Sequence, residues 1–199
     1  MQTEIEVKFL AVDHNVVRAA LQKVGATLEQ PMRLMHRSII DYPDNRLQKA
    51  GGFIRVRNEG HRTTVTFKQF DALSIDGARE IETSVDDYKA MVALLQAAGL
   101  RVTSEQESKR ETWQLDNCEV VLDEWPWLKP YIEIEGPDET SLRTVAVQLG
   151  FDWHDAVFGD VVVAYRAEYR IPSGILSKNP RISFDQPVPE WLEKARLNR

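Results

Sequence analysis

The sequence has little of several features, and each shortage excludes a class of protein. Its 199 residues contain a single cysteine, Cys118, so no internal disulfide can form and a reducing compartment is expected. No apolar run approaches the roughly 20 residues that span a bilayer, and no apolar leader precedes Glu4. We therefore expect a cytoplasmic protein with no membrane partner.

An excess of basic residues is also missing. Lys and Arg number 25 against 31 Asp and Glu, and the formal net charge is −6, which argues against a general nucleic-acid binder. The four histidines are scattered and the cysteine has no basic neighbour, so neither a zinc site nor a thiol nucleophile is indicated. Any anionic ligand must be bound by cations that the fold gathers locally.

A repeated Glu-Ile-Glu pattern stands out among the residues that are present. It occurs at 4–6, 80–82 and 133–135, each time in a predicted strand. Alternate strand residues share a face, so each copy puts two carboxylates about 7 Å apart on one face. Like charges so placed need water, basic side chains or metal cations to neutralise them. The wet face of an ordinary antiparallel sheet would also give this alternation, but Lys8 adds a cation to the first row.

Periodicity and capping signals predict about eight strands and three amphipathic helices. Predicted strands cover 4–9, 35–42, 53–57, 63–69, a segment around 80–82, 108–115, 119–123 and 131–135. Predicted helices open at Asp13, Ser84 and Asp138 and stop at Gly25, Gly99 and Gly150. Residues 1–170 are expected to form one domain. A tail with several prolines follows at 171–199, in which Trp191 and Leu192 predict a short docked helix.

The charged residues of the predicted strands collect on one face of the sheet. That face contains Glu4, Glu6, Lys8, Arg55, Arg57, Lys68, Glu80, Glu82, Arg110, Asp123, Glu133 and Glu135. Amphipathic helices must cover the opposite, apolar face. The charged face is then either bulk surface or the lining of a closed barrel, and eight strands suffice to enclose one small ligand. Only a highly charged ligand together with metal would balance such a lining.

These motifs, in this order, resemble the CYTH family, also called triphosphate tunnel metalloenzymes. The matching motifs are Glu4-x-Glu6-x-Lys8, Arg55-x-Arg57, Thr66-x-Lys68, Glu80-x-Glu82, Arg110, Leu122-Asp123 and Glu133-x-Glu135. The resemblance covers roughly residues 2 to 168. It implies an α+β fold, a closed eight-stranded antiparallel barrel with a charged interior and helices packed outside. It also implies triphosphate chemistry assisted by divalent metal.

Roles follow from the resemblance position by position. Phosphate oxygens would be held by Lys8, Arg55, Arg57, Lys68 and Arg110. Metal would be held by Glu4, Glu6, Asp123, Glu133 and Glu135, with Glu80, Glu82 and Lys109 in support. Hard oxygen ligands without Cys or clustered His favour Mg²⁺ or Mn²⁺. The expected substrate is tripolyphosphate, ATP or thiamine triphosphate, bound by a monomer or homodimer.

The sequence departs from the family pattern in two places. Where the sixth strand commonly carries Lys-x-Arg, this chain has Ser108-Lys109-Arg110, and Lys109 falls on the opposite face unless a bulge turns it. Class IV adenylyl cyclases often carry further residues ahead of the first motif, whereas three precede Glu4 here. We therefore expect hydrolysis of the terminal phosphate rather than conversion of ATP to cyclic AMP and pyrophosphate.

Two further alternatives remain open at this point. Trp125 and Trp127 are expected to pack at the barrel mouth, with base stacking as the alternative. A non-catalytic binder of polyphosphate would keep the cations, but it would gain nothing from carboxylates beside its anion.

Overall fold

A computed structural model describes residues 1–172, 176 and 179–197. The strands are β1 (Gln2–Glu4), β2 (Glu6–Phe9), β3 (Thr27–Asp41), β4 (Gly52–Asn58), β5 (Thr63–Phe70), β6 (Ala78–Val85), β7 (Arg101–Leu115), β8 (Cys118–Glu124), β9 (Tyr131–Glu135) and β10 (Arg181–Ile182). The α-helices are α1 (His14–Lys23), α2 (Arg46–Lys49), α3 (Tyr88–Ala97), α4 (Glu139–Gln148), α5 (Val161–Glu168) and α6 (Glu190–Glu193). A short 3₁₀ turn covers Trp153–Asp155.

Nine strands follow one another around a nearly closed antiparallel barrel, in the order β1-β6-β5-β4-β3-β7-β8-β9-β2. The predicted first strand is interrupted at Ile5, so that β1 pairs with β6 while β2 pairs with β9. Backbone hydrogen bonds bridge the gap between these two ends of the sheet: Glu6 N–H donates to the Ile75 carbonyl, and Lys8 exchanges two hydrogen bonds with Val157. The N-terminal segment therefore joins the two edges of the sheet, as the predicted α+β barrel requires.

The apolar core lies outside the barrel, between the sheet and two helices. Helices α1 and α4 cover the outward face of β2, β7, β8 and β9. The fully buried members of this core include Val7, Leu21, Val120, Ile134 and Leu142. Burying side chains of this size stabilises the fold by about 1.5–3 kcal/mol each. Because the helices take up the apolar face, the charged face of the sheet points into the barrel.

A second apolar cluster covers one end of the barrel. It joins α5 and the tail to Trp125 and Tyr131, and its buried members include Tyr165, Ile182 and Leu192. The tail also adds β10 in parallel to β7. Leu192 lies in α6, which confirms the short docked helix predicted for that position.

Several predicted boundaries need correction. The strand predicted at 35–42 begins instead at Thr27, because most of the polar segment that precedes residue 35 also pairs with β7. Asp13 and Asp138 cap their helices as predicted, whereas α3 is capped by Asp87 and not by Ser84, which ends up in β6. Among the described residues, no helix has the length and apolar character to cross a membrane.

Candidate active site in the barrel interior

Strand alternation gathers the predicted charges around one cavity of about 520 Å³ inside the barrel. That volume lies within the range of ordinary small-molecule sites. The predicted residues that line it are Glu4, Glu6, Lys8, Arg55, Arg57, Lys68, Glu80, Glu82, Arg110, Asp123, Glu133 and Glu135. The exception is Lys109, which lies outside the barrel.

Lys109 faces outward because β7 pairs with β8 without a bulge from Lys109 to Leu115. Its ammonium lies 3.3 Å from a Glu124 carboxylate oxygen and 4.7 Å from the ring centroid of Phe184. The expectation that Lys109 supports the site therefore has to be corrected: ordinary strand alternation puts it on the face opposite Arg110.

Lys8 is almost fully buried between two carboxylates. Its Nζ lies 2.9 Å from Glu6 Oε1 and 3.2 Å from Glu133 Oε1. Burial alone would lower the pKa of Lys8, but the charges of Glu133 and Glu6 raise it above the usual range. Lys8 is therefore a permanent cation fixed in the wall of the cavity.

Arg110 is held by two carboxylates on neighbouring strands. Its Nε and Nη2 donate to the two oxygens of Asp123 at 2.7 and 2.5 Å, and Nη2 also donates to Glu133 at 2.8 Å. Burial raises the pKa of Glu133, but the charges of Lys8 and Arg110 outweigh it and hold that pKa well below its usual range. Such two-point contacts fix the plane of a guanidinium and leave its remaining N–H groups for another anion.

Arg55 and Arg57 project side by side from β4, each near a carboxylate. Arg57 Nη2 lies 2.5 Å from Glu59 Oε1, and Arg55 Nη2 lies 3.5 Å from Glu82 Oε2. The Glu82 carboxylate also accepts a hydrogen bond from the Thr66 hydroxyl. Burial and the neighbouring charge of Arg55 lower the pKa of Arg57 to about 10. Two guanidiniums so close together favour an anion between them.

An acidic group, defined as Glu4, Glu6, Glu80, Glu119 and Glu135, occupies another part of the wall. Glu4 forms an ion pair with Lys68. Burial together with the charges of Glu4, Glu6 and Glu119 raises the pKa of Glu135 to about 7. Burial and contact with Glu4 likewise raise the pKa of Glu80 to about 7. The acidic group thus carries more negative charge than its basic neighbours neutralise.

The acidic group fits a divalent metal by its donor chemistry. All of its donors are carboxylate oxygens, the ligands that Mg²⁺ and Mn²⁺ prefer, and their mutual repulsion would be relieved by a cation. Within the described part of the chain, no three acidic, histidine or cysteine side chains converge at metal-binding distance. Carboxylates now paired with Lys8 and Lys68 would have to turn toward the ion.

Some charged residues in or beside the cavity wall were not identified from the sequence. Glu59, which no sequence motif indicates, is 2% exposed and forms an ion pair with the lining residue Arg57. Glu119 was not singled out, although it lies on β8 with Asp123 and on the same face. Arg37 has apolar nearest neighbours on its strand face, Met35 and Ile39, so no Glu-x-Glu or Arg-x-Arg motif marks that face. Strand pairing, rather than local pattern, identifies it.

The two tryptophans pack against protein groups. Trp125 is 5% exposed, with the guanidinium carbon of Arg37 4.4 Å from its ring centroid. Trp127 donates its indole N–H to the Gln186 carbonyl at 2.9 Å. Trp125 lines the cavity, and so do Phe53 and Phe70, whose half-buried rings have centroids 6.3 Å apart.

Comparison with solved structures places this barrel in a known structural class. A protein of Pyrococcus horikoshii, PH1012, superposes with a TM-score of 0.68 at 20% identity, covering 81% of this chain and 98% of that one. A candidate adenylate cyclase from Vibrio parahaemolyticus gives a TM-score of 0.70 at 15% identity, covering 83% and 98%. A Hippeastrum protein described as a candidate adenylyl cyclase with a dominant triphosphatase activity gives 0.60 at 14%, covering 84% and 96%. These likenesses show the fold.

The sequence itself defines the family. The pattern of the CYTH domain matches residues 2–153, most of the barrel, and the chain belongs to that family. No curated relative matches it at a significant level. CYTH proteins are triphosphatases or adenylyl cyclases, depend on metal and bind triphosphates such as ATP.

Proposed function

We propose that this protein is a metal-dependent triphosphatase that releases the terminal phosphate of inorganic tripolyphosphate or of an organic triphosphate. The observation that carries the proposal is the barrel cavity, in which the five predicted basic residues line the wall and each lies near a carboxylate. These cations are Lys8, Arg55, Arg57, Lys68 and Arg110. A chain of phosphates is a linear polyanion, and a tunnel with cations along its wall neutralises that charge phosphate by phosphate.

The basic residues would divide the work by their geometry. Arg110 is oriented by Asp123 and Glu133, so its plane is set before the substrate enters. Arg55 and Arg57 offer forked donors, while Lys8 supplies a compact point charge. Positions fixed in advance stabilise charge on the phosphoryl oxygens during transfer without any reorganisation of the protein.

Metal would bind to Glu4, Glu6 and Glu135 of the acidic group together with Glu133. Mg²⁺ or Mn²⁺ supplies charge neutralisation of the phosphates and a bound water of lowered pKa. The same carboxylates distinguish the proposed enzyme from a passive polyphosphate binder, because carboxylates beside an anion weaken its binding unless a cation lies between them.

Hydrolysis is favoured over cyclisation by the packing of the tryptophans. Arg37 covers the face of Trp125, and Trp127 is held by its bond to the Gln186 carbonyl, so neither ring is free to stack a purine. A second candidate substrate class rests on Phe53 and Phe70, whose rings border the cavity beside Lys68. They would accept the flat organic group of ATP or thiamine triphosphate while the phosphates occupy the cationic wall.

The test measures every product at once. The purified chain is incubated with tripolyphosphate, ATP or thiamine triphosphate, with Mg²⁺, with Mn²⁺ or with EDTA, and phosphate, pyrophosphate and cyclic AMP are quantified. Metal-dependent release of phosphate in excess of cyclic AMP supports the proposal. Cyclic AMP and pyrophosphate as main products from ATP would establish the cyclase alternative, and tight binding without any turnover would establish the passive binder.

A further inference from the structure

We propose that Arg37, held by Ser108 and Trp125, is a further phosphate-binding residue of the barrel. In this role Arg37 would contact one phosphoryl group of a linear triphosphate. The identity of that ligand rests on the proposed function. Arg37 lies in the cavity wall, has no ion-pair partner among the described residues and stands in register with another arginine.

Arg37 lines the cavity from β3 and is 6% exposed. One of its terminal nitrogens, Nη2, donates to the hydroxyl of Ser108, which is fully buried on β7. The guanidinium also lies over the Trp125 ring, at 4.4 Å from the centroid. These two contacts fix the orientation of the guanidinium, but neither neutralises its charge.

Arg37 differs from the five predicted cations in having no carboxylate partner. Among the residues that the structure describes, no acidic oxygen lies within 4.0 Å of its nitrogens, whereas Lys8, Arg57 and the others each meet that criterion. Its Nε is buried and makes no hydrogen bond. A buried guanidinium without a counter-ion is costly, so the cavity is built to receive an anion at this point.

The strand register strengthens this conclusion. Arg37 on β3 stands directly opposite Arg57 on β4, and both side chains enter the cavity. Like charges directly opposite in a sheet are destabilising. Burial and the charges of Arg57, Arg55 and Arg110 together lower the pKa of Arg37 well below its usual range. A phosphoryl group between these guanidiniums would convert the repulsion into charge-assisted hydrogen bonds.

The position also accounts for the departure from the family pattern at residue 108. Ser108 is opposite Met35 in the β3–β7 register, one pleat from Arg37. A serine is short enough to leave room for a guanidinium from the adjacent strand, and its hydroxyl accepts a hydrogen bond from it. In the family pattern this positive charge lies on the sixth predicted strand, which is part of β7 here. In this chain Arg37 supplies the charge from β3.

The experiment measures anion binding without catalysis. Tripolyphosphate is titrated calorimetrically into the 199-residue chain in EDTA, and the thermal unfolding temperature of each apo variant is recorded. Arg37→Met is expected to weaken binding about ten- to a hundredfold, the range for hydrogen bonds to charged groups. It is also expected to raise the apo unfolding temperature, because a buried like charge is removed.

The matched control is Arg33→Met, on the same strand and face. Arg33 already has a carboxylate partner, since its Nη2 lies 3.6 Å from Glu59, and it donates to the Arg110 carbonyl at 3.2 Å. It does not line the cavity. This variant is expected to bind tripolyphosphate within about threefold of the wild type, a difference well below 1.4 kcal/mol.

Binding by Arg37→Met as tight as that of the wild type would overturn the proposal, and so would a wild type that binds no tripolyphosphate. If Arg37→Met does not fold, Arg37→Gln takes its place, because it keeps a donor for Ser108 and loses only the charge. The proposed function fails separately: a wild type that binds through Arg37 but hydrolyses nothing refutes the triphosphatase and leaves the anion site standing.

Discussion

Asp123 and Arg110 form a two-point ion pair across β7 and β8, with N···O distances of 2.7 and 2.5 Å. Asp123 is 1% exposed, so its charge has no access to solvent. Asp123 therefore holds the Arg110 cation in the wall of the cavity. The buried charge of Asp123 in turn depends on Arg110 for its stabilisation.

Replacing Asp123 by Ala is expected to destabilise the apo protein by about 3 kcal/mol, at the low end for breaking a buried ion pair because Glu133 still contacts Arg110. Urea denaturation at neutral pH measures the free energy of unfolding. Glu139→Ala, which removes a half-exposed helical partner of Arg143, is the control and should change stability little. A loss for Asp123→Ala no larger than the control's would mean that Arg110 needs no partner there.

Glu133→Gln is expected to abolish metal-dependent turnover while the fold is retained. The carboxylate lies between Lys8 and Arg110 and belongs to the proposed metal-ligand set. Initial rates are measured over a titration of Mg²⁺ or Mn²⁺, and circular dichroism reports the fold. Full turnover at the wild-type metal requirement would remove Glu133 from the active site.

The apo protein is expected to lose stability as the pH rises from about 4.5 to about 7. Glu80 and Glu135 have pKa values near 7 in the folded state, so the native protein binds more protons than the unfolded chain across this interval. Their contribution is fully present below pH 4.5 and is lost by pH 7. Glu135→Gln should flatten the slope of the unfolding free energy against pH, measured by urea denaturation in EDTA. A wild-type stability that rises over this range would contradict the burial of these carboxyls.

Phe53→Ala is expected to raise the KM for ATP roughly tenfold, as the loss of one aromatic stacking partner would, and to leave the KM for tripolyphosphate unchanged. Steady-state kinetics on both substrates tests this. Phe184→Ala is the control, because Phe184 lies on the outside of the barrel beside Lys109. Equal effects on both substrates would show that Phe53 only supports the barrel and contacts no organic group.

The architecture followed from alternation, but some of the site did not. Glu-Ile-Glu and Arg-x-Arg segments indicate one charged face of the sheet, and the amphipathic helices indicate that they cover the opposite face. That the charged face lines a closed barrel was implied by the family resemblance. Arg37 was missed because its nearest neighbours on the same strand face, Met35 and Ile39, are apolar, so its role depends on which strand lies opposite. The α5 helix was missed because its run of valines favours strands locally and becomes helical when packed over Tyr131.

The interruption at Ile5 has a consequence for how the protein is made. Glu4 lies on the β6 side of the junction and Glu6 on the β9 side, so these two proposed metal ligands join Glu133 and Glu135 of β9 only when the N-terminal segment pairs with both edges of the sheet. The strand β9, with which β2 pairs, is the last strand of the barrel to leave the ribosome. A nascent chain with all its earlier hairpins formed would hold Glu4 and Glu6 without the two carboxylates of β9, and catalytic competence should therefore appear late, in one step, when the barrel closes.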